Sequence, residues 1–122
     1  MPTRILVVED SATDAHLLKS YLENHGYEVS VANTGEEGLE IARSLEPDLI
    51  VMDVVMPGIN GFQVTRQLTR DKSTQHIPII IVTTKGQDTD RIWGLRQGAK
   101  AYLAKPIDEM QLVETVQQAL IA

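Results

Sequence analysis

Five short runs rich in apolar and β-branched residues punctuate this chain, and each is followed by a stretch with helical spacing, which leaves few folds open. The runs are Arg4 to Val8, Tyr27 to Ala32, Leu49 to Met52, Ile79 to Val82 and Ala101 to Ala104. Leu49 to Met52 and Ile79 to Val82 are apolar without alternation, as in strands buried on both faces of a parallel sheet. Parallel neighbours need crossover connections, and right-handed crossovers lay helices on both sheet faces. The predicted fold class is therefore α/β: a doubly wound, five-stranded parallel sheet with five helices. At 122 residues the chain fits one domain, 1–122, able to bury roughly two thirds of its unfolded surface.

The helical stretches carry their own boundary signals. Ser11 or Thr13 caps the first, which presents Leu18 and Leu22 on one face and ends at Gly26. Asn33-Thr34 opens the second, Glu36-Glu37 suits its N-terminal dipole, and Leu39, Ala42 and Leu45 form its inner stripe. The third runs from Phe62 to Arg70 with Val64 and Leu68 spaced for burial, and 71–76 reads as a polar surface loop. The fourth follows the loop Lys85 to Thr89 and stops at Gly98, with Ile92 and Leu95 facing inward and Trp93 offset from both and partly buried. Asp108 caps the fifth, which carries Leu112, Val113, Val116 and Leu120.

Composition removes several function classes. A formal net charge of −6, with Lys and Arg scattered along the chain, leaves no basic stripe, so direct nucleic-acid binding is not expected. The absence of cysteine rules out disulfides, thiolate metal sites and a thiol nucleophile, and suits a reducing compartment, the cytoplasm. No apolar run approaches the ~20 residues that span a bilayer, and Ile5 to Val8 is too short for a signal-peptide core, so no membrane insertion is expected. His16, His25 and His76 lie in polar settings without metal-ligand spacing and read as surface residues.

The chemistry collects where strands end. Glu9 and Asp10 follow the first strand, Asp53 the third, Thr83 the fourth and Lys105 the fifth. A single Asp after one strand ordinarily just favours a turn. Polar groups after several strands of one parallel sheet instead share its C-terminal edge, where doubly wound sheets bind ligands at the reversal of strand order. In the order 2-1-3-4-5, borrowed from flavodoxin-like sheets rather than deduced, that point lies between strands 1 and 3. Carboxylates gathered there repel one another unless a cation neutralises them, and hard oxygen donors suit Mg²⁺ (or Mn²⁺) with retained waters. With that charge and Lys105 cancelling repulsion, a carboxylate oxygen can attack a phosphoryl group to give an acyl phosphate, and Thr83 can hydrogen-bond a phosphoryl oxygen.

On these residues the chain resembles the receiver domain of two-component response regulators, over essentially its whole length. The V-V-E-D stretch implies Glu9 and Asp10 as metal-side acids. The M-D-V-V-M-P-G stretch implies Asp53 as phospho-acceptor and metal ligand, with the Val55 backbone carbonyl as a further ligand. The I-V-T-T stretch implies Thr83 as the switch hydroxyl, and Y-L-A-K-P implies Tyr102 as the switch aromatic and Lys105 as the phosphate-contacting lysine. The stretches V-V-M-P-G-I-N-G-F-Q-V-T-R-Q-L and I-I-V-T-T-K look most similar to PilH-like stand-alone receivers of type IV pilus chemosensory systems.

The resemblance implies a single-domain response regulator that accepts a phosphoryl group from the phosphohistidine of a histidine kinase, or its phosphotransfer domain, onto Asp53. It would catalyse its own phosphotransfer with Mg²⁺ while serving mainly as a signalling protein in a chemotaxis or twitching-motility pathway. The chain stops at Ala122 directly after the fifth helix, so no effector domain is expected and output passes to a protein target through the helix 4, strand 5, helix 5 face. In that switch Thr83 moves toward the phosphoryl group and vacates space into which Tyr102 turns. A phosphate sink for a sister regulator and a non-catalytic docking module stay open as alternatives, although the intact acids and lysine speak against the latter. A flavodoxin-like cofactor carrier needs a phosphate-cradling loop where this chain has Glu9-Asp10, and a haloacid-type phosphatase needs a second aspartate where Val55 stands. Val55 and Lys85 overhang the approach of a hydrolytic water. Valine offers no group to hold that water and Lys85 can pair with phosphoryl oxygens, so slow self-dephosphorylation is expected.

Overall fold

The computed structural model describes residues 2–121. In chain order the elements are β1 (Arg4–Val8), α1 (Ala12–Glu23), β2 (Glu28–Ala32), α2 (Gly35–Leu45), β3 (Leu49–Met52), α3 (Gly61–Arg70), β4 (Ile79–Thr83), α4 (Asp88–Arg96), β5 (Ala101–Ala104) and α5 (Glu109–Ile121). The strands form one parallel sheet in the order β2-β1-β3-β4-β5, as expected.

Side chains alternate along each strand, so the sheet builds two apolar layers. Ile5, Val7, Leu49, Val51, Ile80 and Val82 pack with Leu18 and Leu22 of α1 and Leu112 and Val116 of α5. Leu6, Val8, Ile50, Met52, Ile79 and Ile81 pack on the opposite face with Leu39 and Ala42 of α2 and Val64 and Leu68 of α3. Full burial of such a side chain stabilises by roughly 1.5–3 kcal/mol, so these central strands anchor everything attached to their ends.

Local chemistry starts the helices. Ser11 Oγ accepts the Asp14 N–H at 3.3 Å, Thr34 Oγ1 accepts the Glu37 N–H at 3.0 Å, and Asp108 Oδ2 accepts the Gln111 N–H at 2.9 Å. At α3, Asn60 and Gln63 bond each other's backbone N–H, both at 3.0 Å, closing a reciprocal cap.

Several expectations need correction. Leu45 is 40% exposed rather than part of the inner stripe of α2. Ile92 and Leu95 point outward, and Trp93 is half-exposed; Gly94 alone is buried along α4. A Cβ at 94 would lie 2.8 Å from the Tyr102 ring and 3.0 Å from Ile81 Cδ1, so the helix rests on the sheet through its glycine and leaves the flanking side chains outside. Within 71–76, Thr74 is fully buried and donates its hydroxyl to Leu68 O at 2.7 Å, tying that loop to the end of α3. Tyr27 precedes β2, with its N–H bonded to Leu22 O at 3.3 Å.

The loop after β3 depends on a second glycine. A Cβ on Gly61 would stand 2.0 Å from Asp53 O and 2.8 Å from Val54 Cα, both backbone atoms that cannot yield cheaply. Gly61→Ala is expected to cost about 1–3 kcal/mol by overpacking. Urea unfolding of wild type and variant measures it, and an unchanged midpoint would refute the close approach.

Candidate functional site

Strand register places the polar residues together. Val8 pairs with Met52, so the residues that follow leave the sheet side by side; the Asp53 N–H donates to Val8 O at 3.0 Å and the Glu9 N–H to Ala32 O at 2.9 Å. Across the sheet, Thr83 pairs with Ala104, and the Lys105 N–H bonds Thr83 O at 2.8 Å. Glu9, Asp53, Thr83 and Lys105, from four strands, therefore meet at one edge.

Oxygens of Glu9, Asp10 and Asp53 lie within 4.8 Å of one another, with Glu9 and Asp53 buried and Asp10 exposed. Asp53 Oδ1 accepts the N–H groups of Val54 at 2.7 Å and Val55 at 3.4 Å, which orients its carboxylate. Its Oδ2 faces Lys105 Nζ at 3.4 Å. The ammonium lies closer to Glu9 Oε1, at 2.5 Å, and to Asp14 Oδ2, at 2.8 Å. An oxygen-only donor set with one open member suits a hard divalent cation that keeps several waters, so the trio fits Mg²⁺ or Mn²⁺.

Asp14 was not anticipated as a member of this cluster. Its only sequence signal is its place in the first turn of a helix capped by Ser11, four residues after Asp10, which aims it back at the same edge.

Thr83 is buried, and its Oγ1 receives the Lys85 N–H at 3.4 Å. Tyr102 is already turned inward at 3% exposure, its hydroxyl donating to Lys85 O at 2.5 Å. The ring packs against the backbone of Gly94, where a Cβ would stand 2.8 Å from it, and Lys85 O receives the hydroxyl. Thr83 and Tyr102 both meet the backbone of Lys85, whose side chain is exposed, as is that of Val55. The histidines lie at the surface, and His25 Nε2 sits 3.0 Å from Glu109 Oε2.

Electrostatics follow from burial. Loss of water pushes the Glu9 carboxyl up to about 7, with neighbouring Asp53 adding to the rise and the bonds from Lys105 and Ser11 opposing it. Burial lowers Lys105, but its bonds to Asp14 and Glu9 and the charge of Asp53 outweigh this and hold it above its ordinary value, fully charged. Burial, helped by Asp90, raises the Tyr102 phenol to about 12, keeping it a neutral donor.

The Glu9 shift has a stability consequence without metal. Between its ordinary 4.5 and about 7 the folded state holds a proton that the unfolded chain has released, so unfolding free energy falls as pH rises through that window. Wild type should lose on the order of 2 kcal/mol relative to Glu9→Gln between pH ~5 and ~8. Urea unfolding in the presence of a chelator reads this, and parallel profiles for the two proteins would reject it.

A family model described as the response regulator receiver domain matches residues 5–117. The chain is 54% identical over 117 residues to protein PilH of Pseudomonas aeruginosa, covering 96% of this chain and 97% of that one. A putative response regulator from Chloroflexus aurantiacus superposes with a TM-score of 0.96 at 35% identity, covering 100% of both chains. The receiver domain of the sensor histidine kinase PA1611 from Pseudomonas aeruginosa superposes at 0.92 with 28% identity over 100% of both chains, and carries a magnesium ion coordinated in its active-site cleft. A match across most of the chain, on a fold and a sheet edge that agree with it, shows that this protein belongs to the response regulator receiver family.

Proposed function

We propose that the protein is a single-domain response regulator that accepts a phosphoryl group on Asp53 from the phosphohistidine of a histidine kinase or its phosphotransfer domain. The observation that carries this is the Asp53 carboxylate, buried and oriented by two backbone N–H groups on one oxygen while the other faces the Lys105 ammonium at 3.4 Å. A carboxylate oxygen of Asp53 forms the new bond to phosphorus, the P–N bond of the donor breaks, and the imidazole nitrogen keeps that electron pair. Glu9, Asp10, Asp53 and the Val55 carbonyl would hold Mg²⁺ or Mn²⁺, which supplies charge neutralisation for the incoming phosphoryl oxygens when bound. Lys105 pairs with a phosphoryl oxygen and Thr83 donates its hydroxyl to another.

Signal output rests on the Thr83 and Tyr102 contacts at Lys85. Drawing the Thr83 hydroxyl toward phosphate alters the loop that also holds Tyr102, and so the surface of α4, β5 and α5 offered to a protein target. Exposed Ile92, Trp93 and Leu95 lie on α4 and make that surface apolar. The pathway is a type IV pilus or chemotaxis motility system, a reading drawn from resemblance to PilH-like receivers and supported by the 54% identity to PilH. Among the described residues no helix is long and apolar enough to cross a membrane, which is consistent with action in the cytoplasm.

Incubation with a small phosphodonor and Mg²⁺ tests the reaction. Intact mass should show one acid-labile phosphoryl group on wild type and none on Asp53→Asn, whose fold should be preserved; phosphate persisting on the variant would sink the assignment. Dephosphorylation gives a separate test. Val55 is half-exposed beside Asp53 and offers no group to hold a water, so Val55→Asn should shed phosphate several-fold faster, about 1 kcal/mol in barrier. Decay of purified phosphoprotein without kinase measures this, and equal or slower loss would show that Val55 does not limit water access.

A further inference from the structure

The Lys105 ammonium has three N–H donors and faces three carboxylates: Glu9 at 2.5 Å, Asp14 at 2.8 Å and Asp53 at 3.4 Å. A phosphoryl group on Asp53 brings oxygens that compete for these donors with more charge than the 3.4 Å Asp53 contact they replace, which draws the ammonium away from its other partners. The candidates differ in what release would cost. Glu9 is buried with its side chain 1% exposed and makes the shortest bond to the ammonium, so its release leaves a buried carboxyl oxygen with no water to replace the lost donor. The Asp14 side chain is 40% exposed and, once released, is solvated by water at little cost. Asp53 carries the phosphoryl group itself.

We propose that Asp14 is the exchangeable counter-ion of Lys105: it holds the ammonium in the unphosphorylated protein and is the contact given up when a phosphoryl group occupies Asp53. This rests on the assignment of Asp53 as phospho-acceptor. Asp14 is a positioning residue, acting on the reaction only through Lys105. Its place is set by α1, whose first turn is fixed by the Ser11 cap, while Lys105 arrives from the end of β5. Beside the pair lies a cleft of about 80 Å³ that Asp14 and Lys105 line together with Leu17, Leu18, Pro106 and Ile107. The same contact opposes phosphorylation, because the ammonium must leave a carboxylate before it serves the phosphoryl group. Asp14 thereby sets how readily the site is charged, and anything that docks on the start of α1 and engages Asp14 would release the lysine.

Beryllofluoride, a tetrahedral stand-in for the phosphoryl group, gives a readout independent of catalysis. In calorimetric titrations with Mg²⁺ present, Asp14→Asn should bind it about five-fold more tightly than wild type, the upper range for a partly exposed ion pair. Glu36→Gln, which removes equal charge from an exposed residue that makes no contact with Lys105, should bind within about two-fold of wild type. Proteins labelled with ¹³C at the lysine ε-carbon, with the Lys105 signal assigned by its loss in Lys105→Arg, supply the second readout. The Lys105 signals of wild type and Asp14→Asn should differ in the free proteins and coincide in the beryllofluoride complexes. Unchanged or weaker binding by Asp14→Asn, equal tightening by Glu36→Gln, or Lys105 signals that differ as much in the complexes as in the free proteins would overturn the proposal. A wild type that gains no phosphoryl mass on Asp53 would instead remove the underlying assignment, a separate and distinguishable result.

Discussion

Around Lys105 a single ammonium balances carboxylates that burial would otherwise force apart or neutralise. Its Nζ reaches Glu9, Asp14 and Asp53 while its own side chain is only 11% exposed. In water each such pair is worth little, but at the edge of a packed sheet the loss of hydration raises both the cost of each charge and the gain from pairing it. Burial holds the Glu9 carboxyl above its ordinary value even though the bond from Lys105 opposes the rise. The carboxylate oxygens gathered there are of the kind that fit a hard divalent cation.

The rest of the fold can be read as the means of holding that cluster in place. Parallel register brings the residues after β1 and β3 beside each other, and the fully buried strands behind them cannot slide without moving their whole apolar set to the wrong face. Gly61 lets α3 begin against the Asp53 carbonyl, and the N–H groups of Val54 and Val55 fix the carboxylate from the other side. Gly94 performs a similar service for Tyr102 by giving its ring a berth beneath α4. The α4 helix is weakly tied in return: its N-cap residue Gln87 makes no side-chain cap bond, and its larger apolar residues are left outside. An element with an uncapped start and one buried residue belongs to the less stable end of a fold.

Misreadings of the sequence share a cause. Helical spacing shows which residues lie on one face, but not which face the tertiary arrangement turns toward the sheet; on α4 the contact fell on the smallest side chain, so Ile92 and Leu95 stayed outside. Leu45 failed in the same way: it is the last residue of α2 and is left 40% exposed. Thr74 looked like loop polarity because a hydroxyl buried by one bond to a carbonyl has no pattern of its own. Asp14 was overlooked because its partner is 91 residues away along the chain.

By itself the sequence determined the alternation of strands and helices, the polar residue that ends each of four strands and the family to which the chain belongs. These are legible because doubly buried strands read as short uninterrupted apolar runs, because caps such as Thr34 and Asp108 are local chemistry, and because the motifs are contiguous. Only the tertiary structure decided the pairing of charges: that Lys105 divides itself among Glu9, Asp14 and Asp53, and that Tyr102 lies inward on the Lys85 carbonyl. Those contacts join residues far apart in the chain, and their strength depends on how much water the packed sheet excludes, a quantity that no local pattern encodes.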